Sequence, residues 1–243
     1  MSTSGTVRTP VGDAPLTLGQ PPARTLRTRD SLGLWGNLGI SLLLPVAAVF
    51  VVLPDRPLAV TLGAVAVGAV IGAVLLGAGA AAGAREGVPA MVLLRGLLGR
   101  RASYLPTAFN LVQCVGWATF EIVIIAEAAS RVLDAPRWPF VLAAGVLATA
   151  MALRPLGVVR VLSRYAVWAA LAAIAYLYVQ VLREPLPPLT EGAGTSFWTA
   201  ADIVIALPIS WFPLAADYTR HARSARGAFT GATIGYGVAT VAM

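Results

Sequence analysis

The chain has 243 residues, of which 58% are hydrophobic and only 12% charged, with a mean hydropathy of +0.78. Soluble domains carry about 25% charged residues, so these totals exclude a soluble globular protein and indicate an integral membrane one. The formal charge of +7 rests on arginine alone, and the arginines stand between apolar runs, which reads as a topology signal rather than a solvated nucleic-acid-binding face.

Residues Met1 to Asp30 are polar and rich in Pro, Gly, Thr and Arg, and predict a disordered cytoplasmic tail. It lacks the apolar core of a cleaved signal peptide. From residue 31 to 243 the sequence predicts one helical membrane domain. Six hydrophobic segments follow, at about Leu32–Leu53, Leu58–Gly83, Leu105–Ser130, Trp138–Leu153, Gly157–Leu182 and Phe197–Ala216. A crossing helix needs about 20 residues. A seventh segment starts near Ala228 and is still running at Met243. With the tail inside, fourteen arginines fall on the cytoplasmic side and four (Arg56, Arg131, Arg137 and Arg183) outside. That positive-inside bias orients the chain in the cell membrane with its N-terminus cytoplasmic.

The first segment opens on Gly33, Gly36 and Gly39 with Asn37 and Ser41, a weak helical start, and then contains Pro45. The second is studded with glycines, Gly68 and Gly72 four apart, and reads as a close-packing helix. The stretch Gly87–Arg101 is too charged to cross and predicts a short interfacial or re-entrant piece. In the third segment, Asn110, Gln113, Trp117 and Glu121 fall within an arc of roughly 80° at 100° per residue. A carboxylate near the bilayer centre costs about 2.5–3.5 kcal/mol on insertion scales, so Glu121 is expected to face protein or water. It either hydrogen-bonds a neighbouring helix or, with its stripe, lines a solute site. Glu127 is rotated off the stripe and is left out of that site.

The fourth segment is short, and its end is ambiguous around Arg154 and Pro155. Arg183–Thr195, with its prolines, reads as a plain outer loop. The sixth segment carries Pro208 and Pro213, each removing a backbone donor. Carbonyls freed at membrane depth are tolerated only against protein or a watery cavity. Interruptions in the first and sixth segments, five helices apart, are the pattern of an inverted-repeat transporter. Asp217 and Arg220, three apart, predict an interfacial ion pair. His221 reads as a solvated loop residue, and Cys114 as a lone thiol within a span.

Gly116-Trp117 followed by Glu121, the run Ser210-Trp211-Phe212-Pro213 through Asp217-Tyr218-Thr219-Arg220, and Gly87-Val-Pro89 with Arg95, Gly99, Arg100 and Arg101 resemble the nucleobase–cation symporter family of purine–cytosine and hydantoin permeases. The resemblance spans roughly Leu32 to Ala232. It implies an all-α, LeuT-type inverted-repeat fold, here the first repeat plus the start of the second, in about six to seven spans. It also implies that Trp117 and the Trp211/Phe212 position sandwich a planar ring whose edge Glu121 hydrogen-bonds, with Gln113 on the same stripe. Carbonyls around Gly36, Gly39 and Ser41 would contribute to a cation site for H⁺ or Na⁺, while the share supplied by an eighth helix falls outside the chain. A neutral glutamine is common in relatives where this chain has Glu121, which favours donor-rich solutes or a part in proton coupling.

The activity expected is import of a nucleobase or related planar heterocycle, such as cytosine or a purine, by cation symport without a cofactor. The alternative is a truncated, non-transporting membrane protein that only binds or assembles with another chain. An enzyme is disfavoured, because Cys114 and His221 lie on different helices and no His or Cys pair has metal-ligand spacing.

Overall fold

The computed structural model describes residues 21–41, 43–52, 56–153, 165, 167–186, 188–192 and 197–243. Most of the expected tail, the Arg154–Pro155 boundary with Arg160 and Arg164, and the start of the fifth segment lie outside these residues. The helices are α1 (Thr28–Gly39), α2 (Leu43–Val52), α3 (Leu58–Glu86), α4 (Ala90–Ala102), α5 (Tyr104–Leu133), α6 (Arg137–Leu153), α7 (Val167–Val181), α8 (Phe197–Ile209), α9 (Phe212–Thr219) and α10 (Ala225–Ala242).

Among the described residues, α3, α5 and the broken α8–α9 unit are long and apolar enough to cross a bilayer. The α1–α2 pair, bent by 64°, adds a fourth span if it is counted as one. The first and sixth segments are thus each broken, as their glycines and prolines predict. At 17 residues, α6 reaches about 25 Å at 1.5 Å per residue, short of the roughly 30 Å of hydrocarbon. The charged Gly87–Arg101 stretch forms α4, bent where Gly99 takes a φ of 75°.

Helix ends follow local chemistry. Asp30 reaches back to accept from the Arg27 N–H at 2.9 Å, half of a capping box that also sets a carboxylate at the positive end of α1. Ser224 accepts from the Gly227 N–H at 3.0 Å to start α10. α3 ends on Gly87 at a φ of 66°, a left-handed cap that suits glycine. The proline-containing loop before α8 has a definite task as well: the carbonyls of Pro188 and Leu189 accept from the Leu58 and Ala59 N–H groups at 3.1 Å each, satisfying donors that a helix start leaves open.

The packed centre is α3, against α8, α9 and α10, with α1 laid along α10. Its buried residues are small: Ala80, Ala84, Ala215, Ala228 and Ala232 surround Trp35, Leu76 and Tyr236. Lipid tails are as apolar as these side chains, so the helices associate through close approach and dispersion. A Cβ on Gly68 would meet the Ala201 carbonyl at 2.7 Å, and one on Gly72 the Ile205 carbonyl at 2.9 Å. The α1–α10 crossing uses Gly227, Gly231 and Gly235, a four-residue spacing legible in the sequence but not singled out there. A Cβ on Gly235 would stand 2.6 Å from the Leu32 carbonyl, so Gly235→Ala forces the helices apart and is expected to cost about 1–3 kcal/mol. Gly145, with nothing within 4 Å, should accept alanine with no loss, because alanine favours a helix by up to about 1 kcal/mol. Melting of the purified variants in detergent compares the two.

α1 begins at Thr28, two residues before the expected end of the tail, and the segment just ahead of it is docked. Leu26 forms a parallel bridge with Ala222. Its N–H donates to the His221 carbonyl at 3.0 Å, and its carbonyl accepts from the Arg223 N–H at 2.9 Å. Arg24 donates to the Arg85 carbonyl at 3.3 Å. His221 is therefore no free loop residue: its Nε2 accepts from Arg220 Nε at 3.2 Å and its Nδ1 lies 3.3 Å from the Ala23 carbonyl. Asp217, expected to pair with Arg220, instead accepts from the Ala90 N–H at 3.4 Å and so ties α9 to the start of α4. No ion pair joins Asp217 and Arg220 among the described residues.

Candidate functional site

The break between α8 and α9 builds the site. Trp211 N–H turns back to the Pro208 carbonyl at 3.1 Å and Leu214 N–H to the Trp211 carbonyl at 3.0 Å. These tightened bonds leave the Leu207 and Ser210 carbonyls without their regular α-helical donors, and Pro213, having no N–H, cannot restore the ladder at the next position. Side chains take over. Ser210 Oγ donates to the Leu207 carbonyl at 2.7 Å, with the Tyr236 hydroxyl 3.5 Å from the same oxygen. Gln113 Nε2 donates across from α5 to the Ser210 carbonyl at 2.6 Å. Buried carbonyls need such partners, and here the partners fasten three elements around one point.

Beside that point lies a cavity of about 370 Å³. From α5 it receives Gln113, Cys114, Trp117 and Glu121; from the α8–α9 unit Ser210, Trp211 and Tyr218; from α10 Tyr236; and from the α1–α2 break Ser41. Three of the four stripe residues, Gln113, Trp117 and Glu121, thus line this cavity, with Trp117 and Glu121 still partly open to the outside, while Asn110 lines another. The opposite face is bare: Leu111, Val112 and Val115 on α5 are largely exposed, as a lipid-facing surface is. Glu121 forms no hydrogen bond or ion pair among the described residues, whereas Glu127, left out of the site, is engaged by Arg131 at 2.8 Å and Arg137 at 3.6 Å. The simpler reading of Glu121, a bond to a neighbouring helix, finds no such bond among the described residues.

Trp211 belongs to an aromatic group that pattern reading did not assemble. Trp35, fully buried, meets Trp211 edge-on at 6.4 Å, Tyr218 at 5.9 Å and Tyr236 at 6.5 Å between ring centroids. Trp117 is met by Phe120 at 6.2 Å. Such edge contacts are worth about 0.5–1.5 kcal/mol each beyond burial, so they hold the Trp211 ring at the cavity wall. Of the adjacent pair, only Trp211 enters this cavity. Phe212 turns away toward Gly79 and lines a second cavity.

The residues expected at the cation site separate too. Gly36 and Gly39 lie within α1, where a Cβ on Gly36 would be 3.7 Å from the Gly235 carbonyl and one on Gly39 2.6 Å from Ala239 Cβ. Both sit at the α1–α10 contact. Ser41 lies in the break beyond α1 and faces the cavity with Leu38 and Leu44. Tyr236 and Tyr218 on the cavity wall, and Trp35 packed behind them, are the residues that the sequence reading missed. Tyr218 stood within the quoted motif, but nothing local ties Tyr236 or Trp35 to the sixth segment.

A polytopic helical membrane protein with two broken helices and an aromatic, acid-bearing cavity of small-molecule size belongs to the class of solute carriers. Over residues 24–243 the chain matches, and belongs to, the family described as permeases for cytosine/purines, uracil, thiamine and allantoin. A comparison with curated proteins returned no match. The family is one of transporters, not of enzymes.

Proposed function

We propose that the protein imports a nucleobase or related planar heterocycle, such as cytosine or a purine, across the cell membrane by H⁺ or Na⁺ symport. Its N-terminus is then cytoplasmic and its helices belong to a LeuT-type inverted-repeat fold. One observation carries this reading: Trp117, Trp211 and an otherwise unengaged Glu121 share a single cavity at a helix break. Its volume of about 370 Å³ falls in the range of small-molecule sites, about 300–1,000 Å³. Aromatic faces suit stacking on a planar ring. A carboxylate, as an acceptor, suits the exocyclic amine that cytosine presents. Ser41, a hydroxyl on the cavity wall at the α1–α2 break, suits a coupling cation, as in transporters built on discontinuous helices.

The test is thermal stabilisation of the purified full chain by a panel of nucleobases. A ligand at 100 times its Kd adds about 2.7 kcal/mol, which for a chain of this size raises Tm by about 5–10 °C. Cytosine or a purine should give such a shift, and Trp117→Ala, on a wall residue 38% exposed, should flatten it while leaving the ligand-free Tm nearly unchanged. A flat panel on the unaltered chain would sink the reading.

A further inference from the structure

The second cavity, of about 470 Å³, is lined by Ala82 of α3, Met91 and Leu97 of α4, Asn110 and Gln113 of α5 and Phe212 of α9. It lies toward the arginine-rich ends of α3 and α4, which the orientation proposed above makes cytoplasmic. Its wall is apolar and partly open, with Leu97 80% and Phe109 65% exposed, and two polar features interrupt it. Gln113 is a wall of both cavities, so its side chain and the bond to the Ser210 carbonyl at 2.6 Å stand between them. Asn110 is 9% exposed, yet its Oδ1 has no hydrogen-bond partner. A buried amide without a partner is costly; Asn110 Oδ1 is shielded in this conformation, so the amide engages a heterocycle edge by turning toward the cavity. Asn110 and Glu121 are eleven residues apart on one helix, about 16 Å along its axis, room for two small rings in series.

We infer that the second cavity is a cytoplasmic station for the same heterocyclic solute, with Asn110 as its polar contact and the Gln113–Ser210 bond as the partition that opens between the two stations. This rests on the transport reading for the identity of the solute, but not for the partition itself.

Cys114, the one cysteine of the chain, lines the central cavity and reports on the partition directly. In inside-out vesicles carrying the full chain, a membrane-impermeant thiosulfonate should modify Cys114 slowly. Gln113→Leu, which keeps the bulk but removes the bond, should raise the rate several-fold, and Gln113→Ala about tenfold or more. Right-side-out vesicles should show little change. Wild-type rates for both variants in both orientations would overturn the partition. The station is read separately through Ala82→Cys in a Cys114→Ala chain. Cytosine or adenine should slow its modification, and adding Asn110→Leu should abolish that protection. Protection that survives Asn110→Leu, or its absence while cytosine still protects Cys114 in the unaltered chain, would overturn the station. Faster modification in the Gln113 variants with no nucleobase protection anywhere would leave the partition standing and remove the transport reading.

Discussion

Glu121→Ala is expected to reduce cytosine uptake by about 10–150-fold without reducing the amount of folded protein. The range follows from the loss of a hydrogen bond to a charged group, about 1.5–3 kcal/mol, at about 1.4 kcal/mol per tenfold. Folding should be spared because no hydrogen bond or ion pair connects Glu121 to the rest of the described structure. Glu121→Gln separates charge from shape. It turns an acceptor into a mixed donor and acceptor, so preference should move from amine-bearing rings toward those that show a carbonyl at the same edge. Glu127→Ala is the control: it breaks exposed pairs with Arg131 and Arg137, which solvent screens, and should leave uptake within about twofold. Unchanged radiolabelled cytosine uptake in Glu121→Ala would remove this residue from the site.

Trp35→Ala should be the most damaging single change to stability, about 3–5 kcal/mol. The indole is fully buried and forms the hub of three edge contacts, to Trp211, Tyr218 and Tyr236. Trp35 does not line the cavity, yet its loss frees the Trp211 ring, so residual protein should also bind nucleobases more weakly. Trp35→Phe tests the cause. The indole Nε1 has no hydrogen-bond partner, and an unmet buried donor costs about 1–3 kcal/mol. Phenylalanine loses some contact area but removes that penalty, so its Tm should lie much nearer wild type than that of the alanine variant. Equal melting of the two variants would mean that aromatic packing is not what Trp35 contributes. Fluorescence-detected size exclusion after a temperature ramp, with and without cytosine, measures both effects.

The docked segment before α1 bears on the same site. Leu26 is bound to the chain on both sides of Ala222, and α1 begins directly after it. α1, which leads to the break at Ser41, is thus held at its start by the α9–α10 loop and along its length by glycine contacts with α10.

Much of this protein could be read from the chain by itself. Membrane residence follows from composition, because a bilayer accepts only long apolar segments. The cavity-lining face of α5 follows from 3.6-residue periodicity applied to Asn110, Gln113, Trp117 and Glu121. The fracture of the sixth segment follows from Pro208 and Pro213, whose missing N–H groups are a covalent fact. These are local properties, and short-range rules suffice for them. Partnership between distant segments is different. That Trp211 faces the cavity at the helix break while Phe212 faces another, that Trp35 and Tyr236 brace Trp211, that Asp217 turns to α4 rather than Arg220, and that one stripe serves two cavities were decided only when helices far apart in sequence came together. In lipid no hydrophobic force selects their mutual rotation. Contacts between glycines and alanines do, through backbone approaches of a few ångströms, and periodicity along a single helix does not say which of its small faces will meet which partner.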